Sequence, residues 1–195
     1  MPEEPQETGW IERARRGEGD AFGLLVERYQ RRIYALVFRI VRRPDEVEDL
    51  TQEIFLKAYR AMRNFDYRAS FRTWLAQVAV NHCYDFLRKR RASRVTYHAE
   101  MSEEGVRQLE AHPAVIDGVD GTDPEREIAL KELVRKLLDR APAHDRIVLS
   151  LKELEGYSVE DISGILDLKP STVKVRLHRA RKRMLEDFAA LQAGR

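Results

Sequence analysis

The apolar residues of this chain recur every three or four positions, which is the spacing of side chains on one face of an α-helix. The pattern is dense from residue 10 to about residue 92 and again from residue 128 to residue 190. No apolar run approaches the roughly 20 residues that a helix needs to cross a bilayer. The sequence therefore predicts an all-α protein built from two small helical domains.

The segment between the two helical halves has a different composition. Residues 93–127 hold nine acidic and three basic residues, a net charge of −6, and include "HPAVIDGVDGTDP". This composition is typical of a flexible linker, which is either a passive tether or an acidic segment that lies in a positively charged channel. The first predicted domain is residues 19–92 and the second is residues 128–190, with the linker, residues 93–127, between them. Residues 1–18 are predicted to be an N-terminal extension and residues 191–195 a C-terminal tail.

The stretch "PSTVKVRLHRARKR", residues 170–183, carries six basic residues and no acidic one. One helical face is apolar, and its members here and just beyond are Val173, Leu177, Ala180, Met184 and Phe188. We expect Pro170 at the first helical position, with Ser171 or Thr172 as the cap. One face of this helix is thus predicted to dock on a core, while the other presents basic side chains.

A shorter helix is predicted just before the basic one, in "EGYSVEDISGILDLKP". Ser158 and Asp161 are spaced as a capping pair, and the apolar face consists of Ile162, Ile165 and Leu166. Two helices joined by a short turn, the second of them basic, form a helix-turn-helix that places its second helix in the major groove of DNA. The alternative is an ordinary helical hairpin with a solvated, charged face.

In the N-terminal half, a first helix is predicted from about residue 20 to residue 41, and a second in "DEVEDLTQEIFLKAYRAM". One face of the second helix carries apolar residues for a core, namely Val47, Leu50, Ile54 and Ala58. Another face, an arc of roughly 100°, carries Asp49, Gln52, Glu53 and Leu56. This face is either an ordinary polar surface with one stray leucine or a docking surface with Leu56 as its apolar anchor.

A third helix is predicted over about residues 71–91, after the loop "NFDYRASF". Its outer side carries Gln77, Asn81, Tyr84 and Arg88. Together with Phe65 and Tyr67 of the loop, these residues offer rings to stack on bases, amides to read base edges and a cation for phosphate, as a single-stranded DNA surface requires. The alternative is that the aromatic rings anchor the loop to the core, which fits Phe65 better than Tyr67.

Residues that usually carry out chemistry are sparse in this chain. Cys83 is the only cysteine, and the five histidines are scattered, so we interpret Cys83 and His82 as buried core residues and expect no metal site. No phosphate loop, dinucleotide-binding motif or nucleophile triad is recognisable, which predicts no enzyme, no cofactor and no small-molecule substrate. The start "MPEEPQETGW" is unlike a signal peptide, and we expect the chain in the cytoplasm.

Three stretches, in this order, resemble the extracytoplasmic-function (group IV) sigma factors of bacterial RNA polymerase. "DEVEDLTQEIFLKAY" is similar to region 2.2 of that family, "FRTWLAQVAVNHCYDFLRKRR" to regions 2.3 and 2.4, and "YSVEDISGILDLKPSTVKVRLHRAR" to region 4.2. The resemblance implies a sigma region 2 bundle and a sigma region 4 helix-turn-helix. It also implies a transcription initiation subunit that binds core polymerase, recognises two promoter elements and melts DNA, and that an anti-sigma factor holds inactive.

The resemblance also implies roles for single residues. The face that docks on the clamp helices of the polymerase beta-prime subunit would be Asp49, Gln52, Glu53 and Leu56. The −10 element would meet Phe65, Asp66, Tyr67, Arg68, Gln77, Asn81, Tyr84 and Arg88. The −35 element would meet Ser171, Thr172, Lys174, Val175, His178, Arg179 and Lys182. A free-standing helix-turn-helix regulator is the alternative function, although such a protein does not need "DLTQEIFL" or the aromatic loop.

Overall fold

The computed structural model describes residues 5–97, 133–134, 136–138 and 140–193. All regular elements among these residues are helical, which confirms the predicted all-α fold. Most of the predicted acidic linker lies outside the described residues, but its first residues, 93–97, continue a helix. No helix in the described part of the chain has the length and apolar character of a membrane span.

Four helices form the N-terminal bundle. They are α1 (Pro5–Arg15), α2 (Gly19–Val41), α3 (Pro44–Ala61) and α4 (Phe71–Tyr97), with a short 3-10 turn at Met62–Asn64. Helix α2 ends at Arg42, which adopts a left-handed conformation (φ 59°), and Pro44 begins α3 at a position that needs no amide hydrogen. The predicted core face of α3 is confirmed, because Val47, Leu50, Ile54 and Ala58 are all buried.

Helix α1 is an integral part of this bundle, although the sequence suggested only an extension. Ile11 and Ala14 are buried against α2. Glu7 is 2% exposed, and its carboxylate accepts a hydrogen bond from the hydroxyl of Tyr29 and lies 3.6 Å from Nε of Arg28. The polar composition of residues 5–15, with few apolar residues, concealed a helix that buries some of them and one paired carboxylate.

The C-terminal region contains the predicted helix-turn-helix. Its elements are α5 (Ala143–Leu149), a π-helical segment (Ser150–Leu154), α6 (Val159–Leu166) and α7 (Pro170–Ala193). The apolar faces of α6 and α7 meet in a core that includes Ile162, Ile165, Val173, Leu177 and Ala180. The turn between the two helices passes through Asp167, which is left-handed (φ 51°).

The capping predictions have opposite outcomes. Ser158 and Asp161 form the expected capping box, since the Ser158 hydroxyl accepts from the Asp161 amide (2.9 Å) and the Asp161 carboxylate accepts from the Ser158 amide (3.1 Å). The cap predicted for the basic helix is wrong. Because α7 begins at Pro170, Ser171 and Thr172 lie inside its first turn rather than before it.

The two helical regions pack against each other and share one apolar core. Helix α6 lies on α4, and α5 contacts α2. The buried cluster therefore extends from residues of α2 and α4, such as Leu36 and Leu75, to residues of the C-terminal region, such as Leu151 and Ile162. This packing determines which of the predicted functional faces are open to solvent.

Candidate protein and nucleic-acid interfaces

The predicted docking face of α3 is exposed along its whole length. Asp49, Gln52 and Glu53 are exposed, and Leu56 among them is 54% exposed. Beside Leu56 lies an apolar groove of about 540 Å³ between α2 and α3, and its lining includes Phe22, Val26, Phe55 and Tyr59. An apolar anchor next to a groove, with acidic and amide groups around it, is the arrangement of a protein-binding surface.

His82 lies next to the carboxylate of Glu53, and Lys57 lies next to His82, although the sequence analysis assigned neither of them to this face. His82 is buried, as predicted, and its Nδ1 lies 2.6 Å from Nζ of Lys57. Its Nε2 lies 2.9 Å from Oε2 of Glu53, without the geometry of a hydrogen bond. Burial, and next the charge of Lys57, lowers the pKa of His82, so the ring is neutral at pH 7 and contacts Glu53 as a dipole.

The loop between α3 and α4 presents one of its two aromatic rings. Phe65 is 2% exposed and packs on Phe71 and Trp74, with ring centroids 5.9 and 5.3 Å away. A ring enclosed by other rings has no face left for a base in this conformation, which favours the alternative that Phe65 anchors the loop to the core. Tyr67 is 40% exposed and sits at a positive φ of 61°, which turns it outwards.

The neighbours of Tyr67 leave part of its ring free. Phe65 lies 4.8 Å from it, between centroids, and the Arg15 guanidinium lies 5.0 Å from its centroid. Asp66 and Arg68 are exposed beside it, and they pair with each other at 2.8 Å. The loop thus offers one partly supported ring and two mutually paired charges.

The outer face of α4 is divided into open and covered positions. Asn81 and Arg88 are exposed, and Arg88 pairs with Asp85 at 2.9 Å. Gln77 instead donates a hydrogen bond to the backbone carbonyl of Gly164 in α6 (3.1 Å). Tyr84 lines a cavity together with Arg176 and Arg179 of α7, and burial raises the pKa of its hydroxyl.

The exposed face of α7 agrees with the prediction. Its exposed members are Ser171, Lys174, Val175, His178, Arg179 and Lys182, while Thr172 is half-buried. The basic strip is less uniform than its sequence suggested. Arg181 pairs with Glu153 (2.6 Å) and Arg183 with Asp145 (2.5 Å), so these two arginines hold α7 to its own region instead of facing a polyanion.

Comparison with protein-family models gives two matches in this chain. Residues 25–93 match "Sigma-70 region 2" and residues 131–184 match "Sigma-70, region 4". The curated relatives include the RNA polymerase sigma-H factor of Pseudomonas aeruginosa, 36% identical over 93% of both chains. They also include the ECF RNA polymerase sigma-E factor of Haemophilus influenzae, 36% identical over 96% of this chain and 97% of the relative.

Solved structures support the same fold. The sigma factor RpoE of Bartonella quintana, determined in complex with the anti-sigma factor NepR, has a TM-score of 0.67 at 25% identity, over 85% of this chain and 94% of that one. CnrH, determined in complex with the cytosolic domain of CnrY, has a TM-score of 0.66 at 23% identity, over 95% and 98%. The latter likeness concerns the fold alone.

Proposed function

The chain belongs to the extracytoplasmic-function group of the sigma-70 family and is an alternative sigma factor that directs promoter-specific transcription initiation, and we propose which of its surfaces perform each step. Residues 19–92 bind core polymerase and the −10 element, and residues 128–190 bind the −35 element. The chain contributes no catalytic step of its own and works in the cytoplasm, where core polymerase is found.

The α3 face binds core polymerase. The observation that carries this assignment is the 54% exposure of Leu56 between Asp49, Gln52 and Glu53, on the side of α3 that faces away from the core. Exposure of an apolar side chain and an apolar groove to water is unfavourable in free energy. A partner helix that covers both would remove this apolar surface from water and so stabilise the complex. The matching clamp helices of the beta-prime subunit are the proposed partner.

The loop and α4 bind the −10 element as a melted strand. Tyr67 supplies a ring for one base, Asn81 supplies an amide that both donates and accepts at a base edge, and Arg88 supplies charge for phosphate. Asp66 and Arg68 flank the ring and shape the entrance to it. Gln77 and Tyr84 join this surface once the C-terminal region moves away from α4.

The exposed face of α7 binds the −35 element in the major groove. Lys174, Val175, His178 and Arg179 lie within the first ten residues of α7, where recognition helices contact base edges. Ser171 and Lys182 lie at the two ends of this face and contact phosphates. Thr172 is half-buried and supports the first turn.

An anti-sigma factor is the proposed regulatory partner. The relative from Bartonella quintana was determined with such a protein bound. A subunit that redirects polymerase has to be withheld until it is needed, and a dissociable inhibitor of this class does so by covering the polymerase and promoter surfaces.

Promoter-specific transcription in vitro tests the function as a whole. Core polymerase alone is expected to start at random, whereas core polymerase with this protein should give transcripts with defined starts from genomic fragments. A free-standing regulator would change transcription by polymerase that already carries another sigma factor, and it would give no defined transcripts with core polymerase. The proposal would be contradicted if the protein affected only polymerase that carries another sigma factor.

Replacing Tyr67 by alanine tests the −10 surface. We expect promoter opening, measured by permanganate reactivity of thymines, to be weakened by about 1 kcal/mol, the lower end of what a base stack is worth, because Phe65 and Arg15 already occupy part of the ring. Tyr67→Phe keeps the ring and should open promoters normally. Normal opening by Tyr67→Ala would remove this residue from the DNA surface.

A further inference from the structure

A buried carboxylate joins the two helical regions. Glu155 follows the π-helical segment of the C-terminal region, and its side chain is 5% exposed. Its Oε1 lies 2.6 Å from Nη1 of Arg39, and its Oε2 lies 3.0 Å from Nε of Arg32. Both arginines belong to α2, more than a hundred residues earlier in the chain, so this contact crosses from one region to the other.

A second set of contacts surrounds this carboxylate. The Arg72 guanidinium of α4 donates to the backbone carbonyl of Glu155 and lies 4.4 Å from the ring centroid of Tyr157. The Tyr157 hydroxyl donates in return to the backbone carbonyl of Arg72 (3.2 Å). Burial raises the pKa of Tyr157 to about 12, so its hydroxyl keeps its proton at physiological pH.

These contacts bring α6 against the outer face of α4. The Thr73 hydroxyl donates to the carboxylate of Asp161 (3.2 Å), and one turn further the amide of Gln77 donates to Gly164 (3.1 Å). Beyond them, Tyr84 faces the cavity lined by Arg176 and Arg179. The contacts therefore engage two residues assigned above to the −10 element and one assigned to the −35 element.

We propose that Glu155, with Arg32, Arg39 and Arg72, forms a latch that keeps the free protein in a closed state, in which region 4 covers part of the −10 surface. The latch rests on the proposed function, because it matters only if Gln77 and Tyr84 meet DNA. Opening uncovers Gln77 and Tyr84, whereas the −35 face of α7 is exposed in the closed state as well. The rearrangement thus converts a protein with a partly covered −10 face into one whose −10 face is open along its length.

The energetics of Glu155 favour a switch over a permanent joint. A buried carboxylate and its arginines are stable only while all partners are present, because each buried charge has lost its hydration. In the open state water solvates every side chain of the latch. Removing the carboxylate therefore raises the free energy of the closed state and leaves that of the open state nearly unchanged. The equilibrium then shifts towards the open state, and the apparent affinity for DNA rises in proportion to the open fraction.

The test measures opening and DNA binding separately in the full chain. Spin labels at Glu48→Cys on α3 and Leu185→Cys on α7, both exposed, report the distance between the regions by double electron–electron resonance. Cys83 stays unlabelled, because it is buried and burial raises the pKa of its thiol to about 12. Binding is followed by fluorescence anisotropy with a labelled single-stranded DNA of mixed sequence.

Glu155→Ala is expected to add a population at longer distance and to tighten DNA binding about tenfold, within the usual range of coupling between sites. Arg32→Ala, at a side chain that is 45% exposed, should act in the same direction without loss of fold. The matched control is Glu153→Ala, which removes an exposed carboxylate paired with Arg181 inside region 4. The control should leave both the distance and the affinity unchanged.

The outcomes distinguish the contact between the two regions from its effect on DNA binding. Unchanged distances in Glu155→Ala and Arg32→Ala, with native circular dichroism, overturn the latch. Longer distances without tighter DNA binding keep the contact between the regions but show that it hides no DNA surface, which overturns the roles given to Gln77 and Tyr84. Longer distances with tighter binding support both.

Discussion

A Leu56→Arg variant should no longer co-purify with core RNA polymerase. The leucine is 54% exposed in the free protein, so the substitution costs the fold little. In the complex, the arginine would remove the apolar anchor and leave a charge in a desolvated contact. Anchors of this kind are worth about 2–4 kcal/mol or more when truncated, which corresponds to a loss of affinity of roughly thirtyfold to a thousandfold.

Glu48→Arg on the same helix is the matched control. Glu48 is exposed and lies roughly 90° around α3 from the centre of the docking face. It should therefore retain polymerase binding, although it changes the local charge by +2, against +1 for Leu56→Arg. Loss of binding by both variants would indicate a general electrostatic effect, and retention by both would show that core polymerase binds elsewhere on the chain.

Much of this fold could be predicted because it depends on local patterns. The apolar spacing in α2, α3 and α7 and the Ser158–Asp161 pair are properties of neighbouring residues. The structure confirms the apolar faces of α2 and α3 and the capping pair, and it buries the first part of the α7 face, while Met184 and Phe188 stay half-buried. The exposed faces of α3 and α7 follow from the same patterns, since a helix with one apolar side leaves its other side to solvent.

The features that the sequence did not reveal depend on contacts between distant residues. Nothing local in "EGYSVEDISG" indicates that Glu155 meets Arg39 across 116 positions. The sequence analysis favoured a core role for Phe65 over Tyr67 but assigned both residues to the −10 surface, and the backbone turn at Tyr67 and the surrounding rings separate the buried residue from the exposed one. Arg181 and Arg183 likewise looked like the rest of the basic strip, until their acidic partners in other elements were known.

The C-terminal region covers part of the outer face of α4, so helical geometry alone does not predict which residues of that face are accessible. Gln77, Asn81, Tyr84 and Arg88 share one side of α4 as predicted, yet the structure leaves only Asn81 and Arg88 exposed. The pattern predicts which side chains point together, whereas the packing of the second region decides which of them are accessible. The face proposed to bind DNA is thus also a contact surface for region 4.

The exposed basic side chains of α7 should separate into base readers and phosphate contacts. In holoenzyme bound to promoters whose −35 positions are varied one at a time, Arg179→Ala is expected to cost about 1–3 kcal/mol at one position and to relax discrimination there, since arginine reads guanine through two hydrogen bonds. Lys182→Ala, at the far end of the face, should weaken all promoters alike and lower the salt slope by about one unit, because it gives up one phosphate.

The reason for expecting this division lies in the position of each residue along α7. Arg179 is nearer the start of the helix, where recognition helices reach deepest into the groove, whereas Lys182 lies almost a turn later, 3.9 Å from Glu186, which lowers the local positive charge. Arg181→Ala is the internal control, because its charge is already engaged by Glu153, and it should alter neither discrimination nor salt slope. If Arg179→Ala lowers affinity equally on every promoter, Arg179 is a phosphate contact and base reading falls to Lys174 and His178.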